Sequence, residues 1–540
     1  SFGVYLENNI NKMNITAKIL AGVFLASVGN TVVAQGPAKG TLNWYNGKKY
    51  GMETEKAYKK LLKGMKSQTV IVGVIDSGVD IEHEDLKDII WVNEDEIPNN
   101  GIDDDKNGYI DDVHGWSFLG NPNGKNANDA QLEVTRIYAR LDKKFAGKEE
   151  GDISSADKAD YAKYKEVKAV VEKERESAAM QMKQIAQMQQ YVKGLDEQFT
   201  KLYGKDYSDK DLKKAAKNPE LEKAANAMIG FRKMGMDPAY LEQGMHHFSS
   251  AVNYHYNKDF TEDRDIIGDK PSDFSDTQYG SNDVEGPDAM HGSHCSGIIA
   301  AVRNNGIGNN GVADNVRIMS VRAVPNGDER DKDIALAIRY AVDNGAQVVN
   351  MSFGKGYSEN DAEVIKAIRY AESKGVLLVH AAGNSNQDND LGGNFPTPVY
   401  PSMKNSERFT NWLEVGASTR YKKQLAASFS NYGDEMVDVF APGLEIYSTV
   451  PQSEYMSTQG TSMAAPMVAG VAALLKSYFP SLTMVEIKDI IKESVKDVSD
   501  METPLPGNPS KKVAFGTLSR TGGIVNVYNA VKLAKEKVAK

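Results

Sequence analysis

Apolar stretches that alternate with helical runs limit the possible folds of this chain more than any other feature. The stretches are predicted strands beginning at Val70, Val316, Gln347 and Val376. Helical runs over 333–344 and 361–374 separate the last three, and each run ends at a glycine. Strands that alternate with amphipathic helices form a parallel sheet with helices on both faces. The sequence therefore predicts an α/β domain of three layers built on a mainly parallel sheet.

Polar residues follow three of the predicted strands at the point where each strand ends. Asp76 closes the first strand, Ser352-Phe353-Gly354 follows the third, and Asn384 follows the fourth. Parallel sheets bind their ligands at the carboxyl ends of the strands. These residues therefore predict a functional site at that edge of the sheet.

Ser462 begins a long run of small and apolar residues that predicts a buried helix. A hydroxyl at a helix N-terminus faces unpaired N–H groups and the positive end of the helix dipole. Such a serine is either a helix cap or a nucleophile, and a nucleophile needs a base and a group that orients the base. His291 and Asp76 are the candidates for these two roles.

Four motifs carry a resemblance to a known family. They are Val74-Ile75-Asp76-Ser77-Gly78-Val79, His291-Gly292-Ser293-His294-Cys295-Ser296-Gly297, Ala381-Ala382-Gly383-Asn384 and Gly460-Thr461-Ser462-Met463-Ala464-Ala465-Pro466. Together they resemble the subtilisin-like serine proteases, the subtilases, in which the triad follows the chain order Asp, His, Ser. The resemblance covers roughly residues 40–128 and 270–530, and it implies the subtilisin-like three-layer fold.

The resemblance implies a serine endopeptidase that works through an acyl-enzyme. Ser462 then attacks the peptide carbonyl, His291 takes the proton, and Asp76 orients the imidazole. Asn384 and the Ser462 N–H stabilise the oxyanion, although an asparagine after a glycine also suits a left-handed turn. With a His291 pKa close to the ordinary ~6.5, activity should rise between about pH 6 and 8. Two alternatives stay open: a transpeptidase of the same fold, and a non-catalytic scaffold or adhesin.

Two neighbours of His291 have more ordinary interpretations. His294 is the competing histidine, but the family places the catalytic one first in this motif, so His294 is predicted to pack or to hydrogen-bond. Cys295 is predicted to be a small buried side chain beneath His291.

The substrate site implied by the resemblance is the edge formed by Ser352, Phe353 and Gly354, on which the substrate backbone lies as an added strand. Phe353 is predicted to be one wall of an apolar side-chain pocket, with Asn394-Phe395-Pro396 on the other wall. An apolar wall favours bulky apolar substrate residues before the cut. Asp388 and Asp390 lie nearby in the sequence and would instead favour basic ones.

An acidic loop after the first strand matches the first half of a calcium loop, with oxygen ligands at alternating positions and then a glycine. The predicted Ca²⁺ ligands are Asp103, Asp105, Asn107 and Asp111. His114 stands where a complete calcium loop has a glutamate, so a solvated acidic turn is the alternative. No organic cofactor is predicted.

The segment from about 129 to 262 differs from the rest in its richness in Ala, Lys, Glu, Gln and Met. Apolar residues three and four positions apart form a helical seam: Ile185, Met188, Val192, Leu195 and Phe199. A second helix is predicted over Leu212–Met234. The segment is thus an inserted α-helical hairpin between Asp76 and His291. It gates the active site, or it is an exposed arm that binds an unknown partner or stiffens the molecule.

Charge and cysteine content restrict the partners. The formal net charge of −10 argues against nucleic acid and anionic membranes, and leaves protein or peptide substrates. One cysteine excludes an intramolecular disulfide.

The N-terminus is predicted to be an export signal. Lys12 and Lys18 precede the apolar core 19–26, and small residues precede a cleavage point before Gln35. The core is shorter than the about 20 apolar residues of a membrane span, so a secreted protein without an anchor is predicted, periplasmic or extracellular. Only some 35 residues separate this cleavage point from the strand at Val70, fewer than the usual folding propeptide. The predicted parts are the extension with its signal (1–34), the catalytic domain (35–128 and 263–540) and the helical insertion (129–262).

Overall fold

The computed structural model describes residues 37–38, 40–236, 238–403 and 407–539. The predicted export signal over 1–34 lies outside these residues. The chain divides into two compact units, one of which contains Tyr138–Lys258. The other unit consists of Val33–Ile137 and Asp259–Lys540.

The larger unit is built on a nine-stranded sheet. In chain order the strands of the described residues are β1 Val70–Asp76, β2 Gly115–Ser117, β3 Val316–Arg322, β4 Val348–Met351, β5 Leu377–Ala381, β6 Trp412–Ser418, β7 Val439–Pro442, β8 Ile446–Val450, β9 Glu454–Thr458, β10 Lys496–Asp497, β11 Glu502–Leu505, β12 Asn508–Ala514 and β13 Gly523–Ile524. The order in the sheet is β10-β13-β7-β6-β5-β4-β1-β3-β2. Neighbouring strands from β13 to β2 are parallel, and the edge pair β10–β13 is antiparallel. The predicted mainly parallel sheet is confirmed.

Helices cover both faces of the sheet. In chain order the α-helices of the described residues are α1 Thr54–Ala57, α2 Glu133–Phe145, α3 Lys158–Tyr203, α4 Asp209–Ala215, α5 Glu222–Lys233, α6 Pro238–Ser250, α7 Glu262–Ile267, α8 Met290–Ala300, α9 Asp331–Asp343, α10 Asp361–Ser373, α11 Thr461–Tyr478, α12 Met484–Glu493 and α13 Val527–Val538. The apolar core on one face includes α8, α11, α12 and α13, and the core on the other face includes α9 and α10. The predicted three layers are therefore present.

The most deeply buried helix is α11. Its residues are apolar on all sides and most of them are fully buried, as expected of a helix inside a domain. A fully buried leucine such as Leu474 contributes about 1.5–3 kcal/mol through the hydrophobic effect. Ser462 is the second residue of this helix, so a buried core element holds the predicted nucleophile.

The strand order explains why the site lies beside β1. β3 pairs with one edge of β1 and β4 pairs with the other, so the chain changes direction across the sheet at this strand. A crevice opens at the carboxyl end of such a strand because the connections leave it on opposite sides. Asp76 is the last residue of β1.

The helical unit is organised around α3, which is 46 residues long. The predicted seam is buried: Ile185, Val192, Leu195 and Phe199 are each at most 6% exposed, and Met188 packs beside them. The predicted single helix over Leu212–Met234 is wrong, because α4 ends at Ala215 and α5 begins at Glu222. Pro219 lies in the gap, where it lacks an N–H and disfavours a helix. The helical insertion is present, but α3 packs against several shorter helices instead of one.

Among the described residues, no helix is both long enough and apolar enough to span a membrane.

Candidate active site

Asp76 and His291 form a close pair at the end of β1. His291 Nδ1 donates to Asp76 Oδ1 at 2.7 Å, and the Ser77 N–H donates to the same oxygen at 2.8 Å. The helix that carries His291 approaches closely because residue 292 is glycine. A Cβ there would lie 2.1 Å from the carbonyl oxygen of Gly78. The pair fixes the ring so that Nε2 is the nitrogen left to act as a base.

Asp76 also affects the pKa of the His291 imidazole. Burial lowers the pKa of His291, but the Asp76 carboxylate and its hydrogen bond outweigh burial and raise that pKa well above its ordinary value. A raised pKa makes the neutral imidazole a stronger base and stabilises the imidazolium that forms after proton uptake.

Ser462 is the second residue of α11 and lines an open cavity of about 820 Å³. Its carbonyl is freed by Pro466, which has no N–H to donate four residues later. The Ser352 hydroxyl donates to this carbonyl at 2.8 Å, and the Cys295 thiol lies 3.4 Å from it. These contacts fix the backbone of Ser462 at the head of the helix.

Cys295 connects Ser462 with the acid–histidine pair. Its Sγ lies 3.9 Å from His291 Nδ1 as well as near the Ser462 carbonyl. Asp76, His291 and Ser462 are thereby gathered in one cluster. Within the described residues the Ser462 hydroxyl and the His291 ring form no hydrogen bond with each other. Such bonds are often long in free enzymes and tighten when the substrate binds.

Asn384 lies beside the N-terminus of α11 with its amide oriented by Thr461. Its Oδ1 accepts the Thr461 N–H at 2.8 Å, so its Nδ2 points away from that bond. A Cβ at Gly460 would lie 3.4 Å from Asn384 Nδ2 and 3.5 Å from the backbone nitrogen of Ser462. The two N–H donors therefore converge on one small space, which a side chain at Gly460 would enter.

The predicted substrate edge lines the same cavity. Ser352, Phe353 and Gly354 line it together with Gly383 and Asn384. In the described chain, no backbone hydrogen bond involves the N–H or C=O of Gly354, so both groups are available to an added strand. Phe353 is 8% exposed and gives the cavity an apolar wall.

Behind this cavity lies a buried polar group that was not predicted from the sequence. The Glu414 carboxylate is 1% exposed, and its two oxygens share the His380 Nδ1–H at 3.0 and 3.1 Å. It also accepts a hydrogen bond from Trp412 Nε1 at 2.8 Å. Asn394, which lines the cavity, donates to it at 3.3 Å. A glutamate and a histidine inside otherwise apolar strands are the sequence signal that could have identified this group.

His294 and Cys295 are both fully buried. His294 Nε2 lies 3.1 Å from the carbonyl oxygens of Ile446 and Met456. Burial lowers the pKa of His294 to about 4, so the ring is neutral and donates to these carbonyls. His294 thus joins α8 to the β8–β9 hairpin.

The acidic loop gathers a different set of oxygens from the predicted one. Glu96, Asp105 and Asp112 each place one oxygen within 4.8 Å of the others. The Asp103 and Asp111 carboxylates lie outside this cluster and accept backbone N–H groups of the same loop, as the Glu96 carboxylate also does. Asp105 is thus the one predicted ligand in this cluster, and Glu96 and Asp112 were not predicted.

The predicted ligand Asn107 has its amide nitrogen directed at this cluster. Its Oδ1 accepts the Tyr109 N–H, while its Nδ2 donates to Asp105 and Asp112 at 3.0 Å. Burial raises the pKa of Asp112 to about 6. Among the described residues, no lysine or arginine pairs with Glu96, Asp105 or Asp112. Three carboxylates without a cationic partner are a donor set that suits Ca²⁺.

Comparison with known proteins adds a family and several relatives. The model of the Subtilase family matches residues 67–516. The "Thermophilic serine proteinase" of Bacillus sp. (strain AK1) is 37% identical over 48% of this chain and 56% of its own length. The "Cell wall-associated protease" of Bacillus subtilis (strain 168) is 39% identical over 44% of this chain and 24% of its own length. "Thermitase" of Thermoactinomyces vulgaris is 42% identical over 35% of this chain and 61% of its own length. The chain thus spans less than two thirds of each of these relatives.

Proposed function

Because the chain belongs to the subtilase family, we propose that it is a serine endopeptidase that hydrolyses peptide bonds in proteins or peptides. The observation that carries the proposal is the 2.7 Å pair of Asp76 and His291 gathered with Ser462 at the head of α11. One of the relatives is named as a serine proteinase and another as a protease, which supports the same reaction.

In the first half of the reaction, Ser462 Oγ attacks the scissile carbonyl carbon while His291 Nε2 takes the hydroxyl proton. Asp76 is a positioning residue that holds the ring and stabilises the imidazolium. The carbonyl oxygen becomes an oxyanion, and the Ser462 N–H and Asn384 Nδ2 donate to it. The C–N bond then breaks, and His291 returns its proton to the leaving amine.

In the second half, a water molecule attacks the acyl-enzyme. His291 takes a proton from the water and gives it to Ser462 Oγ as the acyl–oxygen bond breaks, and the acid product leaves. In the alternative, a transpeptidase, an amine replaces this water. The products differ in mass, because hydrolysis adds one water to the substrate and transpeptidation adds the amine.

A casein digest beside fluorophosphonate labelling of the purified chain tests the proposal. The natural sequence should digest casein and take the label, whereas Ser462→Ala should do neither. Ser510→Ala is the matched control, because Ser510 lies exposed on β12 and should leave both signals unchanged. A folded chain that neither digests casein nor takes the label would fit the non-catalytic scaffold instead.

A bound calcium ion is the second part of the proposal. Glu96, Asp105 and Asp112 would hold it, and its charge would offset the repulsion among their carboxylates. The ion would stabilise the loop and would take no part in peptide hydrolysis. Chelation should lower the Tm of the natural sequence, and calcium should restore it. An Asp105→Asn variant should lose that response, and a Tm that ignores the chelator in both would exclude the ion.

Export is the third part. The relative that is named as cell wall-associated supports export, as does the predicted signal before Gln35. Expression of the sequence in a bacterium should place a protein whose first residue is Gln35 outside the cytoplasm. A cytoplasmic protein with an intact N-terminus would contradict this.

A further inference from the structure

The inner end of the active-site cavity is closed by a polar side chain. A Cβ at Gly354 would lie 2.9 Å from Asn394 Oδ1, and a Cβ at Gly383 would lie 3.3 Å from the same oxygen. Asn394 Oδ1 therefore lies between the two chain segments that follow β4 and β5. The substrate residue that supplies the scissile carbonyl would extend its side chain into this space, because Ser462 and Asn384 line the same cavity.

The orientation of the Asn394 amide decides what it offers to a substrate. Its Nδ2 donates to Glu414 Oε1 at 3.3 Å and to the Ala381 carbonyl at 3.4 Å. Both contacts take the amide N–H side, so the carbonyl oxygen is the side presented to the cavity. No donor among the described residues bonds this oxygen. The inner end of the cavity is therefore a hydrogen-bond acceptor without a partner.

The charges around the cavity are negative. The Glu414 carboxylate lies behind Asn394, and no lysine or arginine of the described chain pairs with it. Asp388 also lines the cavity. Lys355 lines it too, but its side chain is 2% exposed and its ammonium pairs with Glu133 at 3.1 Å and Asp331 at 2.7 Å. The positive charge of Lys355 is thus already compensated.

We propose that this cavity selects lysine or arginine as the substrate residue immediately before the cleaved bond, and that Asn394 and Glu414 determine the selection. The cationic end group donates to Asn394 Oδ1 in the negative field of Glu414 and Asp388. The methylene groups of the same side chain pack on Phe353. The inference rests on the proposed endopeptidase function and names its substrate class. It favours the basic alternative of the sequence analysis over the apolar one.

Neutral and apolar substrate side chains interact with fewer of the acceptors and negative charges of the cavity. Glutamine can donate to Asn394 but carries no charge. Leucine and phenylalanine leave a desolvated acceptor without a donor, which lowers their selection by about 10- to 100-fold. Arginine and lysine should therefore be cleaved best, then glutamine, and the apolar residues least.

Quenched fluorescent peptides that differ only in the residue before the cut test the proposal. For the natural sequence, kcat/KM for arginine and lysine should exceed that for leucine and phenylalanine by about 10- to 100-fold. Asn394→Leu should reverse the order, and Asn394→Asp should raise the preference for the basic residues. Glu414→Gln should bring arginine and lysine closer to glutamine. Glu502→Gln, which removes an exposed carboxylate on β11, should change none of these ratios.

Fluorophosphonate labelling of every variant separates the possible failures. A labelled enzyme that cleaves leucine or phenylalanine peptides best overturns the selection and leaves the endopeptidase function intact. A folded natural sequence that takes no label and cleaves no peptide overturns the endopeptidase function, and the selection with it. If Glu414→Gln does not fold, the two Asn394 variants still decide, because Asn394 is only half-buried. Equal kcat/KM for all peptides in both of them also overturns the proposal.

Discussion

Two acid–histidine pairs lie at neighbouring parts of the same sheet, and they differ in access rather than in chemistry. His291 is 2.7 Å from Asp76, and His380 is 3.0 Å from Glu414. Both acids are almost fully buried. The His291 side chain is 34% exposed, whereas the His380 side chain is 0% exposed. A proton acceptor must reach its substrate, so only the first pair can act as a base.

The difference has a local cause. His291 is the second residue of α8, at the rim of the crevice beyond β1. His380 lies inside β5, where strands β4 and β6 flank it and the rings of Phe353 and Trp412 contact it. One pair is therefore placed to react, and the other to hold the inner end of the cavity.

The largest expected effect is on the exposed pair. His291→Ala should lower kcat/KM by about 10⁴- to 10⁶-fold, because Ser462 would lose its base. The upper figure was measured in subtilisin, a member of this family. Steady-state kinetics on one peptide measure the change, with equal thermal unfolding as evidence of a folded variant. A loss of less than tenfold would contradict the role of His291.

The matched variant in the buried pair is His380→Leu. It removes the Nδ1–H that the two Glu414 oxygens share and leaves a buried charge short of a donor, so it should cost about 3–5 kcal/mol of the free energy of unfolding. The remaining folded fraction should still take the fluorophosphonate label. Equal loss of labelling in both histidine variants would remove the distinction between the pairs.

Asn384 gives the next largest effect. Asn384→Ala removes one of the two donors that converge beside Gly460, so kcat should fall by about 10²- to 10³-fold. This range, too, comes from subtilisin. KM should change little, because the donor acts on charge that develops in the transition state. A change in KM alone would assign Asn384 to substrate binding.

The pH dependence tests the exposed pair, because kcat/KM changes roughly tenfold for each pH unit below the pKa of the base. The raised pKa of His291 means that the neutral base appears only well above the ordinary ~6.5, so kcat/KM should still be rising there. The rise expected between about pH 6 and 8 from an unshifted pKa therefore moves upward. The stabilising contribution of this pair is complete below about pH 6.5 and is lost as the pH rises through the folded-state pKa. Asp76→Asn should move the rise to lower pH, and a midpoint at or below 6.5 in the natural sequence would refute the role of Asp76.

Local sequence patterns allowed the residues around Ser462 to be predicted. The buried pair of His380 and Glu414 was not predicted, because its partners are far apart in the sequence. The strands that end at Asp76 and precede Asn384 have apolar runs, and Ser462 begins an unmistakable buried helix. Glu414 lies in a run that predicts a buried strand, but its partner His380 is 34 positions away. The local sequence around either residue does not predict that the two side chains are in contact. The same limit hid Glu96 and Asp112, which only the folded loop brings to Asp105.

The smallest expected effect concerns the helical unit, which adds no residue to either histidine pair. Lys258 and Asp142 lie at its two ends and form a 3.2 Å ion pair, so a short glycine–serine linker can replace 146–255. If the insertion gates the active site, KM should change for casein by up to about tenfold, equivalent to about 1.4 kcal/mol, and should stay constant for a short peptide. Lys165→Met, on the exposed surface of α3, is the control for altered surface charge and should leave KM for casein and for the peptide unchanged. Equal changes for casein and peptide would exclude a gate and leave the insertion as an arm for another partner.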